Sequence, residues 1–415
     1  MSRRRKRAKR RILLILILLI ILIGFVGYKY IFNNDKLENP IKDIIPKEPE
    51  NPIKTYTAKL IATGDGLIHS GLYKAAYQNG TYDFTGMLTY TKEKLKNYDI
   101  KYYNQETVFD DTKSYGSYPI FNTPSAFGDA MIDAGFNVVS LATNHSMDAG
   151  ATSAKKSAAW WESHDKILTH GMASSEAERQ NYQIMDANGI TYTMLSYTYG
   201  TNGLGTPQIK AEPYIVNLYD EETILKDIEA VRDKVDILIV AMHWGSEYNQ
   251  GTTEIQKQQA KFLADNGVDI ILGNHSHCIE PWEWIDDTVV FYSFGNFISN
   301  QMGAEQAMVR KVGTIGAFGT LDITKTVDTR DNSKTIKIDN IGADLNYTYR
   351  YYDSSIGRNN YKVIPFSKME SKYLNNYYQG KSLESVYNEF SNVLKKYDDS
   401  IIIEPLPNTE NTIEN

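Results

Sequence analysis

Cysteine is almost absent from this sequence, since Cys278 is the only one among 415 residues. A single cysteine excludes an intrachain disulfide, and with it the small disulfide-stapled class of secreted protein. Cys278 follows His277 but belongs to no cysteine-rich metal pattern, so we expect it to be a packing residue. Hydrophobic residues make up 42% of the chain, which is enough for a sizeable core in one large domain or two.

Acidic residues outnumber basic ones beyond the first residues of the chain. Eight basic side chains lie between Arg3 and Arg11, and without them the net charge of −7 becomes about −15. No comparable basic patch follows, and this argues against a nucleic-acid-binding domain.

A long apolar run follows the basic segment directly. Residues 12–28 contain no charged side chain, and with the residues up to 32 the segment is roughly 20 residues long, enough to cross a bilayer. Basic residues stay on the cytoplasmic side, so the sequence predicts a single-pass protein of the cell membrane with a cytoplasmic N-terminus and an extracellular domain. The alternative is a cleaved signal peptide, but the run is long for one and no Ala-x-Ala site follows it.

Composition divides the chain into six predicted segments. A proline-rich tether is indicated by Asn39-Pro40-Ile41-Lys42, which recurs at residues 51–54. In order, the segments are a cytoplasmic basic segment (1–11), a transmembrane helix (12–32), an extracellular Pro-rich tether (33–56), the main domain (57–370), a C-terminal helical extension (371–403) and a disordered tail (404–415).

The main domain alternates short apolar strands with helices, a pattern typical of an α/β or α+β fold. The strands that matter most are predicted at 57–63, 100–103, 136–142, 235–241, 268–272 and 289–294. Helices are predicted at 125–134, 151–163, 221–233 and 253–266, with a further helix at 379–396. Asn188-Gly189 between two more strands predicts a hairpin.

Polar residues with metal-binding side chains follow these strands. Five of the seven histidines are among them. The candidates, in chain order, are Asp65 with His69, Glu106, Asn144 with His145, His243, and His275 with His277. Strand ends of this kind are where α/β sheets carry their sites, and neutral imidazole is a common metal ligand. The alternative is that these are separate polar residues of unconnected loops.

A two-metal hydrolytic site fits this set of side chains. Glu106 is the candidate bridge, because a carboxylate can bind two ions at once. Asp65 and His277 would complete one ion, and the other would be held by Asn144, His243 and His275. Mixed nitrogen and oxygen ligands favour one or two divalent ions of manganese, iron or zinc over calcium or magnesium. Such ions clamp a phosphoryl group and activate water.

Further residues are predicted to support this chemistry. His145, next to a ligand, is the candidate general acid for the leaving group. Glu247 is a candidate base or ligand partner, although a surface carboxylate is an equal alternative. Asn104 and Asn296 are candidates for orienting the ligands, or, for Asn296, for capping a turn.

In combination the motifs resemble the CapA/PgsA family of poly-γ-glutamate capsule biosynthesis proteins. They are Gly64-Asp65, Asn104-Gln105-Glu106, Asn144-His145, His243-Trp244-Gly245-Ser246-Glu247-Tyr248, Gly273-Asn274-His275-Ser276-His277 and Gly295-Asn296-Phe297. The resemblance covers residues 57 to 300. It implies a fold similar to the calcineurin-like metallophosphatases, a four-layer αββα sandwich, here with an N-terminal transmembrane helix.

The sequence departs from the metallophosphatase pattern at two points. Leu67 stands where those enzymes have a ligand histidine, and His69 lies two residues further on. Glu106 stands where the bridging residue is usually an aspartate. A single metal site is therefore an alternative to two.

The resemblance implies a role in the synthesis or export of an anionic polymer such as poly-γ-glutamate, with membrane subunits of a polymer synthase as partners. Enzyme activity is not implied by the family alone. Three hypotheses remain at this point: a metal-dependent phosphoesterase-like hydrolase, a non-catalytic scaffold that binds the polymer or its synthase, and a broad metallophosphodiesterase unconnected with capsules.

Overall fold

The structure is a computed structural model that describes residues 15–26, 28–29, 52–301, 307–374, 378 and 380–407. The helices are α1 (residues 15–26), α2 (Ser70–Ala76), α3 (Thr89–Leu95), α4 (Ala126–Ala134), α5 (Ala151–Glu162), α6 (Glu176–Arg179), α7 (Thr206–Ala211), α8 (Glu221–Val231), α9 (Glu254–Asp265), α10 (Ala307–Val312) and α11 (Leu383–Leu394). The strands are β1 (Ile53–Gly66), β2 (Tyr77–Gln78), β3 (Thr81–Tyr82), β4 (Ile100–Gln105), β5 (Val138–Ser140), β6 (Leu168–His170), β7 (Met185–Ala187), β8 (Ile190–Thr198), β9 (Ile237–His243), β10 (Ile270–Asn274), β11 (Trp282–Ile285), β12 (Thr288–Phe291), β13 (Asn296–Ile298), β14 (Ile315–Asp328), β15 (Ser333–Asp353), β16 (Arg358–Pro365) and β17 (Ile402–Ile403).

Two large sheets contain most of the strands. The nine-stranded sheet has the order β16-β15-β14-β1-β4-β5-β6, with β13 paired to β1 and β17 paired to β15. The six-stranded sheet has the order β11-β12-β10-β9-β8-β7. Strands β1, β4, β5 and β6 are parallel, as are β8, β9, β10 and β12, and antiparallel strands flank both sets. The predicted mixed α/β fold is confirmed.

Three hydrophobic cores lie between the layers formed by the described residues. The first lies between the two sheets and contains Tyr102 of β4 and Ile239 of β9. The second lies between the large sheet and helices α2 to α5, and contains Tyr103 and Phe127. The third packs helices α8 and α9 on the small sheet and contains Val240. Neighbours such as Tyr102 and Tyr103 enter different cores because successive side chains of a strand point to opposite faces.

Strand β9 shows why the apolar runs form these sheets. All seven of its residues, Ile237–His243, are buried. A continuous apolar run is typical of a parallel strand that is covered on both faces. Helix α9 then begins at Thr253 with a capping box, in which the Thr253 side chain accepts from the Gln256 backbone N–H and the Gln256 side chain accepts in return.

The described residues form two compact units. Among the described residues, one unit comprises those up to Lys54 together with Asp328–Asn332, and the other comprises those of Thr55–Val327 and those from Ser333 onwards. Within the first unit, the backbone N–H of Thr329 donates to the carbonyl of Pro52 at 2.8 Å.

Helix α1 falls within the predicted transmembrane segment. Among the described residues, no helix is both long enough and apolar enough to span a membrane. The predicted segment 12–32 also includes residues 12–14, 27 and 30–32, which lie outside the described residues. The basic segment 1–11 and residues 33–51 of the tether lie outside them as well, so these assignments stay predictions.

Several predicted boundaries differ from the structure. Strand β1 begins at Ile53, four residues before the predicted start, so residues 53–56 belong to a strand and not to the tether. The predicted hairpin is present, with Asn188 and Gly189 at positive φ between β7 and β8.

The C-terminal region is more ordered than its sequence suggested. Besides α11, it contains β17, which pairs with β15. Glu404 was predicted to begin a disordered tail, but its backbone N–H donates to the carbonyl of Ala343 and its carboxylate accepts from the Lys94 ammonium, both at 2.8 Å. Residues 408–415 of the tail lie outside the described residues.

Candidate metal centre

Strand register brings the predicted ligands together. Asp65, near the end of β1, is opposite Asn104 of β4 on one side and Asn296 of β13 on the other. In the second sheet, His243 at the end of β9 is opposite Asn274 of β10. Because the carboxyl ends of parallel strands meet at one edge, these side chains converge.

Two groups of buried ligand atoms result, and they share one carboxylate. The first group is Glu106, His243 and His275, and the second is Asp65, Glu106 and His277. Within each group the ligand atoms lie within 4.8 Å of one another. Glu106 Oε1 lies 3.8 Å from His243 Nε2 and 3.7 Å from His277 Nε2. The predicted division of ligands between two ions therefore matches the geometry, with Glu106 between them.

The hydrogen bonding of Glu106 tests whether a metal fits here. Its side chain is buried, and neither carboxylate oxygen has a hydrogen-bond partner among the described residues. Burial raises the pKa of Glu106 well above its ordinary value, because the charged form loses its hydration. A bound cation would satisfy both oxygens and hold the carboxylate in its ionised form. The site therefore fits a metal.

The histidines of the first group are in the form that binds metal. Burial lowers the pKa of His275 to about 3, and it also lowers the pKa of His243. Both imidazoles are therefore neutral at pH 7, and a neutral imidazole has one unprotonated ring nitrogen, as metal binding requires. His275 Nδ1 is buried and has no hydrogen-bond partner in the described part of the chain.

Two asparagines complete the arrangement around the first group. Asn144 Oδ1 lies 3.0 Å from His243 Nε2, which places it where the sequence predicted a ligand. Asn104 Nδ2 donates to Asp65 Oδ1 at 2.8 Å and lies 3.3 Å from His243 Nδ1. Its Oδ1 accepts from the Ser140 hydroxyl at 2.6 Å. Asn104 thus fixes one residue from each ligand group.

The turn that carries His275 and His277 has an unusual backbone. His275 has φ 98° and His277 has φ 55°, and residues other than glycine rarely adopt positive φ. The His275 backbone N–H lies 3.3 Å from Asp65 Oδ2, which helps to hold the turn. Strained residues of this kind cluster at functional sites. The conformation aims both imidazoles back at Glu106.

His277 is oriented through its second ring nitrogen. Its Nδ1 lies 3.1 Å from Asn296 Oδ1 and 3.3 Å from Asp65 Oδ2. Contacts of this type fix the ring of a metal-binding histidine and leave Nε2 for the ion. Asn296 therefore has the ligand-orienting position that the sequence predicted.

His145 lies beside the ligand groups and belongs to neither of them. Its Nδ1 is 2.7 Å from Asp148 Oδ2, and both residues are buried. Phe121 packs against the imidazole edge to face, with ring centroids 4.8 Å apart. The carboxylate and the phenyl ring hold the imidazole in one orientation, and this suits a proton donor.

A cavity of about 670 Å³ adjoins the ligand groups. His69, His145, Glu247, Tyr248 and His277 are among the residues that line it. Glu247 is exposed at this cavity. Of the two ligand groups, His277 is the member that lines this cavity.

His69 is not brought to the ligand atoms in this structure. It directly precedes α2 without a capping hydrogen bond from its side chain. Its Nδ1 accepts from the backbone N–H of Asn300 at 3.2 Å and lies 3.2 Å from the carbonyl oxygen of Leu67. Burial lowers the pKa of His69 to about 4. His69 is one of the residues that line the cavity. Leu67 occupies the position two residues after Asp65.

Sequence reasoning missed Asp148, Ser140 and Gln301. Asp148 follows His145 by three residues, and this spacing was a usable signal for a hydrogen-bonded pair. Ser140 and Gln301 act through contacts with residues 36 and 53 positions away, namely Asn104 and Tyr248. No local pattern announces contacts of such long range.

The family assignment follows from a sequence comparison. The sequence model of the family described as "Bacterial capsule synthesis protein PGA_cap" matches residues 59–301. This is more than half of the chain and includes every ligand named above. The chain belongs to this family.

Two proteins with curated descriptions are similar to this chain. The "PGA biosynthesis protein CapA" of Bacillus subtilis (strain 168) is 34% identical over 171 residues, which are 41% of this chain and 44% of that protein. The "Capsule biosynthesis protein CapA" of Bacillus anthracis is 30% identical over 176 residues, 41% of this chain and 42% of that protein. The matched part therefore spans less than half the length of these relatives.

Two phosphatases of known structure are similar to the chain at low identity. A phosphatase from Mycoplasma pneumoniae has 14% identity and a TM-score of 0.39, with 69% of this chain and 94% of that chain aligned. A purple acid phosphatase from yellow lupin (Lupinus luteus) seeds has 11% identity and a TM-score of 0.33, with 68% of this chain and 53% of that chain aligned.

Proposed function

We propose that this protein is a metal-dependent, phosphoesterase-like hydrolase that serves the synthesis or export of an anionic capsule polymer such as poly-γ-glutamate. In this proposal the domain lies outside the cell membrane and is anchored by residues 12–32. Membrane subunits of a polymer synthase are its partners. The fold is a four-layer, metallophosphatase-like sandwich. This is supported by the positions of the three cores, one between the two sheets and one between each sheet and its helices.

The observation that carries the proposal is the position of Glu106 between two groups of ligands. A buried carboxylate with both oxygens unpartnered is costly unless a cation is bound. It forms one group with two imidazoles and a second group with an aspartate and a third imidazole. Nitrogen and oxygen donors together suit manganese, iron or zinc.

The chain's own residues have distinct tasks in this site. Bound there, divalent ions would supply Lewis-acid stabilisation of a phosphoryl group. Asn104 keeps Asp65 and His243 in place, and Asn296 keeps His277 in place. His145, held by Asp148, donates a proton to the leaving oxygen. Burial of these residues restricts water to the cavity side.

The capsule role rests on family membership and on the descriptions of the two relatives. Because the match covers less than half of each relative, their activity is carried to this chain only as part of the proposal. The polymer and the synthase subunits follow from this role, whereas the choice among manganese, iron and zinc follows from the donors of the site.

The experiment is to purify the full chain, measure its metal content by mass spectrometry, and assay it against phosphomonoesters and phosphodiesters with manganese, iron and zinc. We expect at least one tightly bound ion and ester hydrolysis that a chelator abolishes. A chain that holds no metal and cannot be reloaded would contradict the hydrolase and support the polymer- or synthase-binding scaffold. Deletion in a capsule-forming host separates a capsule role from a broad phosphodiesterase, since only the former predicts loss of polymer.

A further inference from the structure

Tyr248 has a conformation that the metal site described so far does not explain. It ends the sequence His243-Trp244-Gly245-Ser246-Glu247-Tyr248 and has φ 61°. Its backbone N–H donates to the carbonyl of Ser276 at 2.7 Å, and its ring centroid lies 5.7 Å from that of His277. A strained residue held from several sides, beside a ligand and in the wall of the substrate cavity, points to a function.

A chain of hydrogen bonds links Tyr248 to the metal centre, and its direction can be deduced. Asn296 Nδ2 lies 2.8 Å from the carbonyl of Gly313, which can only accept. The atom at this position is therefore the amide nitrogen, and Asn296 Oδ1 is the acceptor for His277 Nδ1 at 3.1 Å. His277 thus carries its proton on Nδ1.

The same logic extends to the hydroxyl of Tyr248. Asn296 Nδ2 also donates to Gln301 Oε1 at 2.8 Å, so the other terminus of the Gln301 amide is its nitrogen. Gln301 Nε2 donates to the Tyr248 hydroxyl at 3.0 Å. The tyrosine oxygen therefore accepts, and its own proton remains to be donated. Within the described part of the chain, no acceptor takes that proton.

We propose that Tyr248 is a substrate-binding residue whose hydroxyl donates a hydrogen bond to an oxyanion, such as a phosphoryl oxygen, bound at the metal centre. This inference rests on the proposed function and adds to it a neutral donor at the cavity side of the site. A neutral hydroxyl suits a position next to Glu247, because a lysine or arginine side chain there would pair with the Glu247 carboxylate and not with the bound oxyanion.

The packing around Gln301 supports a specific role for the amide chain. A Cβ on Gly313 would fall on Gln301 Oε1 and would also lie 2.8 Å from the carbonyl of Val309. Only glycine at this position leaves the Gln301 amide between Asn296 and Tyr248. Gly313 thus leaves room for the Gln301 amide, whose oxygen accepts from Asn296 and whose nitrogen donates to the Tyr248 hydroxyl. The proton of that hydroxyl then remains available to a ligand.

The test measures binding of inorganic phosphate by calorimetry to the full chain loaded with manganese. Tyr248→Phe removes only the hydroxyl and should weaken phosphate binding about tenfold, because the lost hydrogen bond is to a charged group. Metal content should stay as in the parent. Tyr387→Phe is the matched control and should leave phosphate binding unchanged, since it also removes one donating hydroxyl: Tyr387, on α11, donates to the carbonyl of Glu404 at 3.1 Å.

Gln301→Glu gives a second and independent arm. The new carboxylate would accept the Tyr248 proton and turn it away from the cavity, so phosphate binding should weaken although the hydroxyl is present. The added negative charge also repels phosphate, and the double variant separates the two effects. In the Tyr248→Phe background, Gln301→Glu should have a clearly smaller effect than in the parent.

Three results obtained with metal-loaded protein would overturn the inference. The first is a Tyr248→Phe variant that binds phosphate as well as Tyr387→Phe does. The second is an equal effect of Gln301→Glu in both backgrounds. The third is a metal-loaded parent that binds no phosphate, which leaves the metal centre standing. A parent that binds no metal removes the proposed function itself, and this inference with it.

Discussion

The imidazole of His145 is joined to the carboxylate of Asp148 by a 2.7 Å contact between Nδ1 and Oδ2, three residues apart in the chain. The pair is buried beside the ligand groups without belonging to them. Asp148 Oδ2 also accepts from the backbone N–H of Phe121 at 2.8 Å, which fixes the carboxylate. The contact between His145 and Asp148 therefore distinguishes His145, the expected proton donor, from the histidines that are expected to bind metal.

The first prediction concerns this proton donor. His145→Ala should keep its metal and lose about 10²–10⁴-fold in turnover of an ester with a poor leaving group. It should lose much less on a nitrophenyl ester, whose leaving group needs no proton. Asn144→Ala is the comparison, and it should weaken metal binding and slow both esters alike. An equal loss on both esters by a metal-loaded His145→Ala variant would rule out the acid role.

The second prediction concerns His69, which the sequence suggested as a ligand. The structure places its Nδ1 against Asn300, so His69→Ala should retain the metal content of the parent. His277→Ala should lose metal in the same preparation. Mass spectrometry of both variants decides the matter, and metal loss in His69→Ala would restore this residue to the ligand set.

The third prediction concerns stability against pH. Burial lowers the pKa of His170 from 6.5 to about 3, while the Ser196 backbone N–H donates to its Nδ1 at 2.8 Å. The unfolded chain takes up a proton below pH 6.5 and the folded chain does not. The stability contributed by neutral His170 is therefore complete above pH 6.5. It is lost as pH falls towards 3, by about 1.4 kcal/mol per pH unit.

His170→Asn is the variant that isolates this effect. The asparagine oxygen can accept the Ser196 N–H, and the side chain does not titrate. Urea unfolding at pH 7, 6 and 5 should show a shallower fall in the free energy of unfolding for the variant than for the parent. Parallel curves for the two proteins would mean that His170 is not the group responsible.

The fourth prediction concerns topology. Because Arg3 to Arg11 precede the apolar run, residues 33–415 should lie outside the cell. Protease added to intact cells from which the wall has been removed should digest the domain and spare an N-terminal fragment. A tag at the N-terminus provides the control for cell integrity. Full protection of the chain would reverse the proposed orientation.

Much of the site could be predicted because its residues follow continuous apolar runs. Such runs are recognisable as buried strands, and parallel strands align their carboxyl ends. For this reason Asp65, Glu106, His243 and His275 could be grouped without a structure. The division into two groups around Glu106 followed from the ligand chemistry of carboxylates.

The remainder depends on backbone conformation and on contacts of long range. His277 and Tyr248 have positive φ. The sequence does not indicate this, because neither residue is a glycine or an asparagine. His69 contacts Asn300 and Leu67 through Nδ1, and its spacing from Asp65 does not reveal these contacts. Gln301 contacts Tyr248 across 53 positions, and no local pattern joins them.

The most direct test of the shared carboxylate is the metal-to-protein ratio of Glu106→Gln. Since burial favours the neutral form of this side chain, glutamine should fold in its place. Glu280→Gln is the matched control, because Glu280 is also buried, also has an oxygen without a partner among the described residues, and lies outside both ligand groups. Two ions that share Glu106 predict that Glu106→Gln lowers the ratio for the whole site, whereas Glu280→Gln keeps the parental value. A parental ratio in Glu106→Gln would contradict the account.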